Sequence, residues 1–432
     1  MDILNVKYVL ERPFLKASEE EAFGNPLLIE VSPPDVGNQF NRLSQNICIV
    51  LDRSGSMDAE GKINFAKDGA CGVVDRLSDN DYFSLVVFDE APLSLIQSVQ
   101  CTAEEKDKIK EIIMGVGISG GTNISDALKE ALDLLRRKLS SETVSSMILL
   151  SDGQPNAGFT NSSQFEPLVK EIKDSGINIH SYGLGGDHDP AVLSAIGGGN
   201  YIPILQNPQE IPERFGKSLS QFENVVVKNL KLEIQLADRK IRVTPGTSFL
   251  VKPKKEFLKS VNLDLQRWSV SFPLLDLERG QPQSYLIQLY CPPNPQPVVK
   301  KLATIKLTFD IPSQNKFNEE KSFDVNVEYT NDSSKFNKKN IDARYTLKKC
   351  MEDKLSTGIT QALEEAKKES DHQKSIENKA TALRLLRQLV EIAKDIGDRK
   401  VLDLAQPQLT KLENNEEVSN AETAKLKEET TK

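Results

Sequence analysis

Asp52, Ser54 and Ser56 stand in the order Asp-Arg-Ser-Gly-Ser directly after the apolar run Ile47-Cys48-Ile49-Val50-Leu51. Alternate side chains of an extended segment share a side, so one carboxylate and two hydroxyls at the end of a buried strand aim at a single point. Hard oxygen groups converging in this way suit a divalent cation. Mg²⁺ prefers six oxygen ligands at roughly 2.0–2.1 Å and usually keeps several waters, so this set under-fills the shell and leaves room for a ligand from outside.

Two further groups follow in order. Gly120-Gly121-Thr122-Asn123 opens a strong helix signal and supplies Thr122 as a third hydroxyl, and Met147-Ile148-Leu149-Leu150-Ser151-Asp152 is a second apolar strand ending in an acid. With these five groups the chain resembles a von Willebrand factor A domain, carrying the D-x-S-x-S, T and D elements of its metal-ion-dependent adhesion site at Asp52, Ser54, Ser56, Thr122 and Asp152. The resemblance implies direct metal ligation by Ser54 and Ser56. Asp52 and Asp152 would act largely through water or the second shell, and Thr122 would bind directly in one state and through water in another. The ion, Mg²⁺ or else Mn²⁺ or Ca²⁺, would complete its shell with a carboxylate from a partner protein.

Specificity would then come from the rim: Arg53, Met57, Asn123, Gln154, Pro155, Asn156 and Phe159, with the loop Gly185-Gly186-Asp187-His188-Asp189. Each has a plainer use. Arg53 can pair with a surface acid, Met57 can cap the core below, and Gln154, Asn156 and Phe159 can belong to an ordinary solvated loop. His188 fits a helix entry better than a zinc site, because no second His or Cys has suitable spacing. Asp187 and Asp189 are placed to cap a helix starting at Pro190.

Catalytic readings fit the same residues less well. An aspartyl-phosphate enzyme of the haloacid dehalogenase type generally wants a second acid two residues after the first, where this chain has Ser54. The Gly-rich stretch 115–122 lacks the Lys-Ser/Thr of a phosphate-binding loop. Ser54 and Ser56 have no neighbouring His to activate them. A Mg²⁺-dependent phosphohydrolase is the weaker alternative, and the chain reads as no enzyme.

The positioning elements form three regions. Over residues 44–224, apolar strands at Ile47–Leu51, Tyr82–Phe88, Met147–Leu150, Ile177–Tyr182 and 201–205 alternate with helix-period segments at Ala59–Leu77, Ser125–Lys138, Ser163–Asp174, Pro190–Ile196 and Pro208–Phe222. That pattern specifies an α/β, doubly wound, mostly parallel sheet, Rossmann-like and covered on both faces. Ala91–Gln100 is expected to add an antiparallel edge strand, as in the family. Residues 225–332 read as short strands separated by Pro and Asn clusters, a β-sandwich, and the strands of residues 1–43 are expected to complete it, making the α/β domain an insertion. Residues 338–413 carry two amphipathic helices broken near residues 370–372 and a shorter one over Lys400–Leu412, a helical bundle whose stripes pack on each other and the sandwich or meet a partner. The charged residues 414–432 read as a disordered tail.

Composition narrows the function. Of 432 residues, 63 are acidic and 55 basic, for a net charge of −8, which argues against broad nucleic-acid binding. No apolar run is long enough to span a membrane. The N-terminal Met1-Asp2-Ile3-Leu4-Asn5-Val6-Lys7 lacks the order of a secretory signal, and 5 scattered cysteines form no Cys-x-x-Cys pair, so a cytoplasmic setting is expected. The layout is similar to bacterial A-domain proteins related to the A domains of calcium-activated chloride channel regulators and inter-alpha-trypsin inhibitor heavy chains. Intracellular A domains imply a scaffold or adaptor, often beside an AAA ATPase or a kinase/phosphatase signalling component. The rival reading gives partner binding to the C-terminal helices and leaves the metal site structural.

Overall fold

The chain begins with strands β1 (Asn5–Leu10), β2 (Phe14–Lys16) and β3 (Phe23–Ser32), seen in a computed structural model that describes residues 4–34, 42–204, 207–252, 256–257, 262–264, 268–369 and 371–431. A second region follows, with strands β4 (Ser44–Asp52), β5 (Tyr82–Phe88), β6 (Pro92–Gln100), β7 (Thr143–Ser151), β8 (Ile177–Leu184) and β9 (Tyr201–Ile204). Helices α1 (Lys62–Arg76), α2 (Ala103–Met114), α3 (Ile124–Arg136), α4 (Ser162–Asp174), α5 (Pro190–Gly197) and α6 (Ile211–Glu223) alternate with them. These strands lie in the order β6-β5-β4-β7-β8-β9, parallel except for β6, which runs antiparallel beside β5.

The period-2 alternation of β4 builds both faces of this sheet. Ile47, Ile49 and Leu51 enter the core formed with α1, α2 and α6, whereas Cys48 and Val50 enter the core formed with α3, α4 and α5. From β4 the chain first winds to β5 and later returns to β7 on the other side. The strand order therefore reverses between β4 and β7, where an open α/β sheet presents its crevice at the carboxyl ends of the strands.

Two local differences have clear causes. The helix expected from Ala59 begins at Lys62, because Glu60 and Gly61 adopt φ of 57° and 67° and end the preceding 3-10 turn. Helix α2 escaped the periodicity reading because only Ile109 and Ile113 of its twelve residues are buried; its one sequence signal is the Thr102 hydroxyl, which caps the Glu105 amide at 3.4 Å.

The rest of the β-structure comprises β10 (Val225–Leu236), β11 (Arg242–Lys252), β12 (Glu256–Phe257), β13 (Asn262–Asp264), β14 (Ser269–Pro273), β15 (Leu277–Glu278), β16 (Gln283–Cys291), β17 (Val298–Ile311) and β18 (Lys316–Thr330). The strand expected over 258–265 falls largely outside the described residues. One sheet has the order β1-β3-β16-β11-β12; the other has β13-β14-β10-β17-β18-β2, with β15 beside β10. Their inner faces share one core containing Leu27, Ile29 and Val31 from β3 and Leu232, Ile234, Ile305 and Leu307 from the opposite sheet. The N-terminal strands thus lie in both sheets.

The two chain crossings between the sandwich and the α/β region are pinned. Arg42, entering β4, forms a paired contact with Asp81 at 2.7 and 2.9 Å and reaches Glu223 at the end of α6 at 3.1 Å. Lys228 of β10 is buried and donates to the Ser140 and Thr143 carbonyls.

A short helix α7 (Ser333–Phe336) leads to α8 (Ile341–Lys368), α9 (His372–Ile396), α10 (Arg399–Glu413) and α11 (Asn420–Thr431). Helix α8 sets Leu347, Cys350 and Met351 against Leu28, Phe249 and Leu286 on the outer face of the first sheet. Residues 420–431 are helical instead of forming the disordered tail expected of 414–432. Leu426 joins the helical core, Thr430 lies 2.6 Å from Ser356, and Lys427 pairs with Asp353 at 2.6 Å. Two of its three buried residues, Thr423 and Thr430, are threonines, so the stripe carries no apolar period.

Candidate metal centre

The β4 and β7 ends bring Asp52 and Asp152 to the reversal crevice. Both carboxylates are fully buried. The Ser54 amide donates to Asp52 Oδ1 at 2.8 Å and the Ser151 hydroxyl donates to Oδ2 at 2.5 Å. Burial pushes the Asp52 carboxyl up to about 6, the donors from Ser151 and Ser54 oppose that rise, and the like charge of Asp152 adds to it.

Asp152 divides its oxygens. The Ser56 hydroxyl donates to Oδ1 at 2.7 Å and the Lys62 ammonium donates to Oδ2 at 2.8 Å. Ser54 Oγ and Ser56 Oγ lie 3.1 Å apart. Thr122 enters from the other side, held by reciprocal bonds with Asn156: its amide donates to Asn156 Oδ1 at 2.8 Å and its carbonyl accepts from the Asn156 amide at 3.0 Å. A Cβ added at Gly153 would lie 3.2 Å from Thr122 Oγ1 and 3.8 Å from Ser56 Oγ, so the bare glycine lets these two hydroxyls approach.

This donor set fits a small divalent cation. All five side chains offer oxygen, the preference of Mg²⁺, Mn²⁺ and Ca²⁺. Neighbouring oxygens of an octahedral Mg²⁺ shell are about 2.9 Å apart, close to the serine hydroxyl separation. Buried carboxylates call for a countercharge, while Gly55 and Ser56 are exposed and keep the mouth open. Among the described residues there is no cluster of three His, Cys, Asp or Glu side chains able to hold a metal; the hydroxyls make this site.

The expected rim is smaller in the structure. Met57 is fully buried in the core with α1, because the 3-10 turn rotates it inward from the exposed Ser56. Asn123 is 5% exposed and serves as the N-cap of α3, accepting from the Asp126 amide. His188 is also buried, with Nδ1 2.7 Å from the Gly185 carbonyl oxygen and Nε2 2.6 Å from the Tyr201 hydroxyl; burial lowers its pKa. Arg53 pairs with Asp89 at 2.5 Å. Phe159 is half-buried, edge-on to Phe165 at 5.5 Å and beneath the Lys129 ammonium at 5.0 Å. Pro155 is buried. Gln154, Asn156 and Asp187 are exposed, and Asp189 caps α5 at the Ala191 and Val192 amides.

Sequence reasoning missed Lys62, Ser151 and Asp89. Ser151, a hydroxyl between an apolar strand and its terminal acid, was the readable one. Lys62 opens a helix and looks like any surface lysine until its 10% side-chain exposure is seen.

Fold and site together define a doubly wound α/β domain whose strand ends gather two carboxylates and three hydroxyls beside the sheet's reversal. A model of the von Willebrand factor type A domain matches residues 46–212, and the chain contains such a domain there. The chain is 27% identical over 259 residues to an uncharacterized Synechocystis protein, covering 58% of each. It is 33% identical over 160 residues to human inter-alpha-trypsin inhibitor heavy chain H4, covering 36% of this chain and 17% of the relative. It is 27% identical over 235 residues to human calcium-activated chloride channel regulator 4, covering 53% and 25%. The chain thus spans less than two thirds of these relatives.

Among solved structures, a von Willebrand factor type A protein from Catenulispora acidiphila superposes with a TM-score of 0.74 at 15% identity, covering 99% of this chain and 96% of the other. The ArnB paralog VWA2 from Sulfolobus acidocaldarius superposes at 0.61 and 17% identity, covering 99% and 98%. At such identities the likeness shows a shared fold, and it extends over the sandwich and helices. Among the described residues no helix is long and apolar enough to cross a membrane.

Proposed function

We propose that this protein is a non-catalytic, metal-dependent binding module that acts as a scaffold or adaptor in the cytoplasm, with Asp52, Ser54, Ser56, Thr122 and Asp152 holding Mg²⁺. The observation that carries this reading is the convergence of three hydroxyls and two buried acids at the β4–β7 reversal, with Ser56 open to solvent. When bound, Mg²⁺ supplies an electrophilic position for an Asp or Glu carboxylate of a partner protein. The chain's own residues set the rest: Ser151 and the Ser54 amide fix the Asp52 rotamer, Asn156 holds Thr122, and Arg53–Asp89 braces the neighbouring loop. Gln154, Asn156 and Asp187 are the expected partner contacts at the rim.

A second reading rests on Ile341, Tyr345 and Ile376, which are 74%, 49% and 47% exposed on α8 and α9 and could meet a partner there. Affinity capture with Mg²⁺ or EDTA, using wild type and Asp52→Ala of matched folding, separates the two. Retention of a protein only by wild type with Mg²⁺ supports the metal-bridged module, and its identity would show whether an AAA ATPase or a kinase/phosphatase component is the partner. Equal retention in every sample moves binding to the helices.

A further inference from the structure

We infer that Lys62 sets the charge of the metal site and makes its loaded form selective for anionic ligands; the inference rests on the proposed metal site. Lys62 is the first residue of α1, where a cation opposes the positive end of the helix dipole and an acid would be the stabilising choice. Its side chain is nonetheless 10% exposed and its ammonium meets Asp152 Oδ2 at 2.8 Å. The Gly185 turn covers that ammonium closely, since a Cβ there would lie 3.2 Å from Nζ.

The geometry separates a countercharge from a competitor for the metal. Lys62 takes the Asp152 oxygen turned away from Ser56, leaving Oδ1 with the hydroxyl cluster. The nearby Arg53 is matched by Asp89 and burial favours neutral His188, so the buried charge consists of Asp52, Asp152 and Lys62. It is −1 without metal and +1 with a divalent ion. Without Lys62 the loaded site would be neutral, holding metal more tightly and attracting an incoming carboxylate less.

The test uses the full-length chain, with free Mn²⁺ followed by electron paramagnetic resonance and acetate binding followed through the water-proton relaxation of bound Mn²⁺. Lys62→Met and Lys62→Gln, each checked for native circular dichroism, remove the charge; Lys62→Arg keeps it. The expected result is Mn²⁺ affinity about tenfold higher in the neutral variants, acetate affinity at least threefold lower, and Lys62→Arg close to wild type. Equal Mn²⁺ and acetate affinities in wild type and neutral variants, with Asp52→Asn still abolishing Mn²⁺ binding, would overturn the role of Lys62 alone. Wild type and neutral variants that all fail to bind Mn²⁺ would overturn the metal-site reading together with this one.

Discussion

Ser151 donates its hydroxyl to Asp52 Oδ2 at 2.5 Å, while the Ser54 amide occupies Oδ1. Both oxygens of the first acid are therefore engaged before any ion arrives, which suits Asp52 to shaping the loop and supplying charge through its surroundings.

Ser151→Ala should lower unfolding stability by about 1.5–3 kcal/mol, the range for a hydrogen bond to a charged group, since the alanine leaves one oxygen of a buried carboxylate without its donor. The denaturant midpoint at pH 7 measures this; an unchanged midpoint would mean that the bond contributes nothing net.

Ser56→Ala should show chiefly in metal binding. Ser56 is exposed but donates to the buried Asp152 carboxylate at 2.7 Å, so its loss should lower stability by about 1 kcal/mol, while Mn²⁺ affinity should fall at least tenfold, as it should for Ser54→Ala and Thr122→Ala. Isothermal titration of each variant checks the affinity and thermal unfolding checks the fold.

Metal should stabilise the folded chain by linkage. At a free Mg²⁺ concentration one hundred times Kd the gain is about 2.7 kcal/mol, seen as a raised Tm that EDTA reverses. Asp52→Asn and Asp152→Asn should show little of this shift.

Glu278 offers a pH test away from the metal centre. Burial raises its carboxyl to about 7, above the unfolded value of 4.5, so its contribution to stability is complete below pH 4.5 and is lost as pH rises through 7. Glu278→Gln should match wild type near pH 4 and exceed it at pH 8, by on the order of 1 kcal/mol after allowance for partial exposure. A constant difference between the two proteins from pH 4 to 8 would remove the assignment.

The parts legible in the sequence were those with strong periodic signals. The continuous apolar strands ending in Asp52 and Asp152 announced a parallel sheet with its acids at the crevice, and alternating strands announced the sandwich. Helices α2 and α11 were hidden because each buries few apolar residues and leans on polar contacts, such as Thr430 with Ser356. Loop residues were the hardest to place. Met57 and Ser56 are neighbours in sequence but face core and solvent, because the 3-10 turn that holds both directs them to opposite sides, and the partner of Lys62 lies 90 residues away, beyond any local pattern.

The most direct test is anomalous diffraction from crystals grown with Mn²⁺. A single strong peak about 2.0–2.3 Å from both Ser54 Oγ and Ser56 Oγ, with the outer face of the ion open or occupied by an exogenous carboxylate, is the predicted result. The absence of a peak there at saturating Mn²⁺, or ligation confined to other acids on the surface, would contradict the account.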